Sequence, residues 1–210
     1  MGGLPESADV CILDYGSGNV RSVLNLVSTI TPSVRISNSP DVIRAASHLI
    51  LPGVGAFGAS MARVRSHIPL DVVNDAVETR HTQFLGICVG LQVLADKGYE
   101  FGEHDGLGWL GGRVTRLESG DLPLPHVGWN SIAVRRESPL LEHLRPDEDF
   151  YFVHSFVMRP ALEDDVVATT DYGEPFASVV SRGNIHGVQF HPEKSQRAGR
   201  RFLENFLTMR

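Results

Sequence analysis

Three residues define the chemistry this sequence is equipped to perform. Cys88 lies in "LGICVGLQ", flanked by Gly86 and Gly90, while His191 and Glu193 stand two positions apart in "VQFHPEKS". A thiolate is a nucleophile and an imidazole moves protons; a carboxylate beside the imidazole fixes its tautomer and stabilises its charged form. A cysteine needs both helpers to attack an unactivated amide. A third stretch, "LPGVGAFG" at 51–58, is crowded with glycine, so that successive backbone N–H groups can converge on one point. An anionic tetrahedral intermediate needs such donors, and the N–H of Val89, just after the cysteine, would add another. Each signal also has a plainer reading. Cys88 fits a small buried residue, His191 the cap of a strand end, and the glycine-rich loop a phosphate cradle, although no lysine and Ser/Thr pair follows to complete a P-loop.

The elements that carry these groups must bring them together. In the first half of the chain, β-branched runs alternate with helical patterns. Strands are expected at "DVCILDY", "SVRIS", "SHLILPG" and "TQFLGI", and helices at "GSGNVRSVLNLVSTI", along a long stretch ending at Val77, and at "GLQVLAD". That succession predicts an α/β fold with an open, mainly parallel sheet flanked by helices. Cys88 then falls on the sharp turn between a strand ending at Ile87 and a helix beginning near Gly90, the position of a nucleophile elbow. The flanking glycines relieve Cβ clashes there, and the helix N-terminus is expected to favour an ionised thiol. From about Gly111 the texture changes to strands with short turns: "GRVTRLE", "NSIAVRR", "DFYFVHSFVM", "DDVVATTD", "PFASVVSRG" and "IHGVQF", the last reaching His191. These predict an antiparallel extension. A final helix, "QRAGRRFLENFL", carries Leu203, Phe206 and Leu207 on one face.

Composition narrows the partners. With 210 residues, 42% apolar and 21% charged, one domain is expected. The formal charge of -6 comes without a basic cluster, which argues against nucleic acid. No apolar run is long enough to span a membrane, and "MGGLPESADV" lacks the basic and apolar regions of a signal peptide, so a cytoplasmic protein is expected. Of the two cysteines, Cys11 lies inside the first strand and reads as a small buried hydrophobe, so a disulfide framework is not expected.

The segments "PGVG", "GICVG" and "HPE" together resemble the class I, triad-type glutamine amidotransferases, which have a flavodoxin-like fold. The segments "DYGSGNVRSV", "GLGWLGGRV", "HVGWNSI", "YFVHSF" and "VQFHPEKSQ" are most similar to the branch of that family serving histidine biosynthesis. The resemblance runs from about Val10 to Leu207 and implies one amidotransferase domain over 9–210, after an N-terminal extension at 1–8 expected to be disordered. It implies that Cys88, His191 and Glu193 hydrolyse glutamine through a thioester, with Gly53, Val54, Gly55 and Val89 forming the oxyanion hole. By the same resemblance, Gln92, Glu100, Ser155 and Phe156 would hold the substrate, with Glu103 an alternative to Glu100. Phe156 stands where a tyrosine is commoner, which removes any contact through a hydroxyl.

The resemblance also implies a partner, a (β/α)8-barrel cyclase subunit that receives the ammonia in a heterodimer, and it implies no cofactor and no metal. Trp129 and Asn130 in "HVGWN", together with Tyr15, Asn19, Ser22 and Lys194, would lie at that interface. The alternative is a paralogous glutaminase that feeds a different barrel synthase, for example in sugar amination.

Overall fold

A computed structural model describes residues 9–16, 19–145 and 148–210, so the extension expected at 1–8 lies outside the described residues. In chain order the strands are β1 (Val10–Ile12), β2 (Val34–Ile36), β3 (His48–Gly53), β4 (Gln83–Cys88), β5 (Lys97–Gly98), β6 (His104–Asp105) and β7 (Gly112–Arg116). They continue as β8 (His126–Ser131), β9 (Ala133–Val134), β10 (Asp149–His154), β11 (Phe156–Pro160), β12 (Val166–Tyr172), β13 (Glu174–Arg182) and β14 (Ile185–Val188). The helices are α1 (Val20–Ser28), α2 (Pro40–Ala45), α3 (Phe57–His67), α4 (Leu70–Asn74), α5 (Val89–Gln92) and α6 (Gln196–Thr208).

The main sheet has eight strands in the order β2-β1-β3-β4-β14-β13-β12-β9. From β2 to β14 every pair is parallel, and from β14 to β9 every pair is antiparallel. The expected mixture of a parallel sheet with an antiparallel extension is therefore present, joined at β14. Strands β1, β3 and β4 are buried along their whole length. Continuous burial accounts for their near-continuous apolar sequences, since helices cover both faces of a parallel sheet. Helix α6 buries Phe202, Leu203, Phe206 and Leu207 as one stripe, and α1 buries Val20, Val23 and Val27.

Three elements differ from the sequence expectation. The stretch "DFYFVHSFVM" is two strands in different sheets: β10 pairs with β8 through His154↔His126, and β11 pairs with β7 from Phe156↔Arg116. Ser155 is the break between them. The helix after Cys88 is a single turn, α5, continued through Ala95 by tighter backbone bonds such as Leu94 N–H to Leu91 O. Four residues cannot sum to an appreciable macrodipole, so the expected help from a helix N-terminus reduces to that of individual N–H groups. The stretch ending at Val77 is α3, α4 and a wide π-type turn at Asp75–Thr79, interrupted by Pro69.

Because β3, β4 and β14 run parallel side by side, their carboxyl ends open onto the same edge. Open α/β sheets bind ligands at such an edge.

Candidate active site

Cys88 is the last residue of β4 and takes φ 54°, ψ -109°, a left-handed strained conformation for a residue with a side chain. The neighbouring backbone tolerates it because two glycines permit very close approach. A Cβ on Gly86 would collide with the carbonyl of Gly90, and one on Gly90 would collide with the Leu51 carbonyl oxygen on β3. Both glycines have negative φ, so the absence of a side chain matters here, not conformational freedom. Gly53 is in register with Cys88 and packs its bare Cα against the backbone of Val89 and Gly90. The strand β3 thus delivers Val54 and Gly55, the latter at φ +101°, directly beside the elbow.

β14 stops at Val188, three residues before the expected end, and the chain bends through Gln189 and Phe190 to His191. The His191 N–H bonds the Tyr151 carbonyl on β10, and Ser195 Oγ accepts from Tyr151 N–H while donating to the His191 carbonyl. Pro192 opens a short 3-10 turn that returns Glu193 to the imidazole. The Nδ1 of His191 lies 2.7 Å from Glu193 Oε1, with both side chains fully buried. Burial opposes a charged imidazolium, but Cys88 and Glu193 outweigh it and push the pKa of His191 up. Burial would likewise raise Glu193, and the bonds from His191 and Asn19 instead hold it below its ordinary value. With Nδ1 on Glu193, the Nε2 of His191 has no other hydrogen-bond partner among the described residues and is left for the thiol.

These groups meet in a cavity of about 380 Å³. Its wall includes Val54, Gly55, Cys88, Val89, Gln92, Glu100, Ser155, Phe156, His191 and Lys194, so most of the expected site residues share one hollow. Gly53 and Glu193 stand directly behind it. A larger hollow of about 630 Å³ lies over Arg135, Arg136 and Arg159, but it is lined by neither cysteine nor histidine, so the chemistry assigns the site to the smaller one. Of the two glutamates, Glu100 lines the cavity and accepts the Phe57 N–H at 2.8 Å, whereas Glu103 is bound to Lys97.

Of the residues expected at a partner surface, Tyr15 and Asn19 are buried and Asn130 is half-buried. Tyr15 is 1% exposed and packs beneath Gly53, with burial raising its pKa to about 12, so it has no surface to offer a partner. Asn19 is also buried and donates Nδ2 to Glu193 Oε1 at 3.0 Å, steadying the triad from behind. Asn130 accepts from Ser131 N–H and donates to the Asp171 carbonyl. The alternation of β8 explains this: His126, Gly128 and Asn130 point one way, Val127 and Trp129 the other. Trp129, Ser22 and Lys194 are exposed as expected. Tyr151, whose place in an apolar aromatic run gives no sign of a role, joins two of them: Trp129 meets its ring edge-on at 5.9 Å, and Lys194 Nζ lies 5.5 Å above it.

The sequence model of the family "Glutamine amidotransferase class-I" matches residues 11–209. The chain belongs to the class-I glutamine amidotransferases. Among the relatives of this amidotransferase, an imidazole glycerol phosphate synthase subunit HisH from Salinibacter ruber is 46% identical over 94% of this chain and 93% of its own. Another, from Aquifex aeolicus, is 45% identical over 93% and 94% of the two chains. A solved structure described as a glutamine amidotransferase superposes with a TM-score of 0.70 at 23% identity, covering 94% of this chain and 98% of that one. At that identity the likeness speaks for the fold.

Proposed function

We propose that this amidotransferase hydrolyses glutamine at Cys88 and passes the ammonia to a cyclase subunit for imidazole glycerol phosphate formation in histidine biosynthesis. The observation that carries the reading is the convergence of Cys88, His191 and Glu193 at the ends of two parallel strands, around one cavity. Cys88 gives its proton to His191, and the thiolate attacks the carboxamide carbon of glutamine. The carbonyl electrons move onto oxygen, where the N–H of Val89 and the backbone of the Gly53, Val54 and Gly55 segment stabilise the charge. The intermediate collapses, the C–N bond breaks, and His191 protonates the departing nitrogen, which leaves as ammonia. His191 then takes a proton from water, which attacks the thioester and releases glutamate and the thiolate.

Gln92, Glu100, Ser155 and Phe156 surround the space beside Cys88 where the rest of glutamine must lie. We place the cyclase, a (β/α)8 barrel, over the exposed Trp129, Lys194 and Ser22 and the half-buried Tyr151 between the first two. Lys194 belongs both to that face and to the cavity wall. Ammonia released into neutral water would be protonated and lose its lone pair, so a partner sealing this mouth is chemically useful. Relatives at 46% and 45% identity are imidazole glycerol phosphate synthase subunits, which does not favour the sugar-amination alternative. A biosynthetic role of this kind goes with a cytoplasmic location, and among the described residues no helix is long and apolar enough to cross a membrane.

The test pairs two assays with purified cyclase. Glutamine hydrolysis by this chain alone should be slow and should rise when cyclase and its nucleotide ligand are added; equal turnover with and without them overturns the coupling. Cys88→Ala should abolish glutamine-dependent synthesis and spare synthesis from ammonium salt. Loss of both would refute the division of labour.

A further inference from the structure

Gln189 is fully buried one strand away from Cys88, and the roles assigned above make no use of it. Its Nε2 lies 3.6 Å from Cys88 Sγ, and its Oε1 lies 3.2 Å from the Nε2 of Gln92. An amide side chain can in principle be turned either way round, so the direction of these contacts has to be argued. One carbonyl decides it.

The Phe156 carbonyl oxygen, which can only accept, lies 2.9 Å from the terminal nitrogen of Gln92. Gln92 must therefore present its NH₂ group there, because the reverse orientation would set two acceptors face to face. The same nitrogen carries a second hydrogen, and the atom it meets is the Gln189 side chain. Gln189 must answer with its oxygen, which leaves its own NH₂ turned to the sulfur. The same carbonyl also meets His154 Nδ1 at 3.2 Å, so that nitrogen carries the proton and His154 Nε2 is an acceptor. His126 Nδ1, 3.1 Å away, must then donate to it. One carbonyl thus fixes both directions: His126 donates to His154 and His154 to the carbonyl, while Gln92 donates to the carbonyl and to Gln189, whose own N–H is left for the sulfur.

We propose that Gln189 is a further catalytic residue, donating a side-chain N–H to the Cys88 sulfur and stabilising the thiolate before attack. The assignment rests on the reading of Cys88 as the nucleophile. Hydrogen bonds to charged groups are the strong ones, and this one forms where no water competes. The amide keeps the sulfur supplied with a donor while His191 holds the proton, and it does so from the face opposite the substrate carbonyl's oxyanion donors on β3. Gln92 is then locked at its nitrogen, and only its oxygen is left to face the cavity.

The test uses the full chain with Gln189→Met and Gln189→Glu, the second keeping the shape but setting a carboxylate oxygen against the sulfur. Alkylation of Cys88 by iodoacetamide, read by mass spectrometry of its own peptide, involves thiolate attack and loss of iodide, and does not need glutamine. Alkylation at pH 7 is expected to slow about tenfold in either variant, and the gap to the parent should narrow as pH rises, since an alkaline medium removes the proton unaided. The kcat for glutamine should fall by about the same factor with little change in KM. Unchanged alkylation in both variants, with only a lower melting temperature, would overturn the proposal. A parent chain that alkylates normally but never hydrolyses glutamine, even with cyclase and its nucleotide ligand present, would count against the glutaminase reading, and the alkylation comparison would still decide the role of Gln189.

Discussion

At the scale of single residues the site is governed by where protons are held. Cys88 and Glu193 together keep His191 charged against the cost of burial, and His191, with Asn19 behind it, keeps Glu193 ionised. Replacing Glu193 by Gln leaves a neutral partner and removes its share of the upward pull on His191, leaving only that of Cys88, so less imidazolium is available to protonate departing ammonia. We expect kcat to drop roughly 10²- to 10⁴-fold, the range of a lost acid–base contribution, with KM affected less. The pH profile of the residual activity should show its alkaline limb moved to lower pH. A profile superposable on the parent's would show that the carboxylate only packs. Residue types carried much of this in advance: cysteine, histidine and glutamate in "GICVG" and "HPE" could be named from the sequence alone. Gln189 could not, because a glutamine in a strand-like run reads as an ordinary polar position until the orientation of its amide is known. For Tyr15 and Asn19, position in a motif placed them near the expected face but did not tell that their side chains are buried.

Elements set the precision of the elbow. The turn at Cys88 exists because β3 approaches α5 so closely that the Leu51 carbonyl occupies the place of a Gly90 side chain. Gly90→Ala must push β3 and α5 apart or unwind the turn, and should cost about 3 kcal/mol or more, as overpacking without a flexible neighbour does. Gly55→Ala is the informative contrast. Nothing lies within 4 Å of the place its Cβ would take, so the penalty there is the left-handed backbone alone, about 1–2 kcal/mol. Urea titration should separate the pair clearly, and equal losses would contradict the close-approach explanation. Glycine spacing around the cysteine made the elbow legible from the sequence, and the period-2 pattern of "HVGWNS" is visible in hindsight. The break at Ser155 was not legible, because "DFYFVHSFVM" is continuously apolar and aromatic. Only pairing with two different partner strands shows that it changes sheet there.

For the whole molecule, the buried histidines beyond the triad are the most consequential feature. Burial lowers His48, His126 and His186 to about 4 and His154 to about 3, so all four are neutral in the native chain. Unfolding restores ordinary values near 6.5. As pH falls from about 6.5 toward 4, the unfolded chain takes up protons that the native chain refuses. Stability therefore declines over that window by up to about 1.4 kcal/mol per pH unit for each histidine. His191 does not offset this loss, because its raised value leaves it charged throughout that range. The urea midpoint should fall steeply between pH 6.5 and 5, with unfolding reached before pH 4; a flat midpoint would mean these rings accept protons while folded. The α/β class and the antiparallel extension were legible because alternating helix and strand periods survive in the sequence. Burial of histidine was not, since the residue type is equally at home on a surface.

The open face of β8 has an optical consequence. The chain has two tryptophans, and they sit in contrasting surroundings: Trp129 is 47% exposed, while Trp109 packs edge-on against Phe84 at 4.9 Å. A chain carrying Trp109→Phe would emit, among its indoles, only from Trp129 on the face we propose for the cyclase. Its fluorescence should shift to shorter wavelength as the cyclase covers it, giving a label-free titration of assembly at a position the protein already occupies.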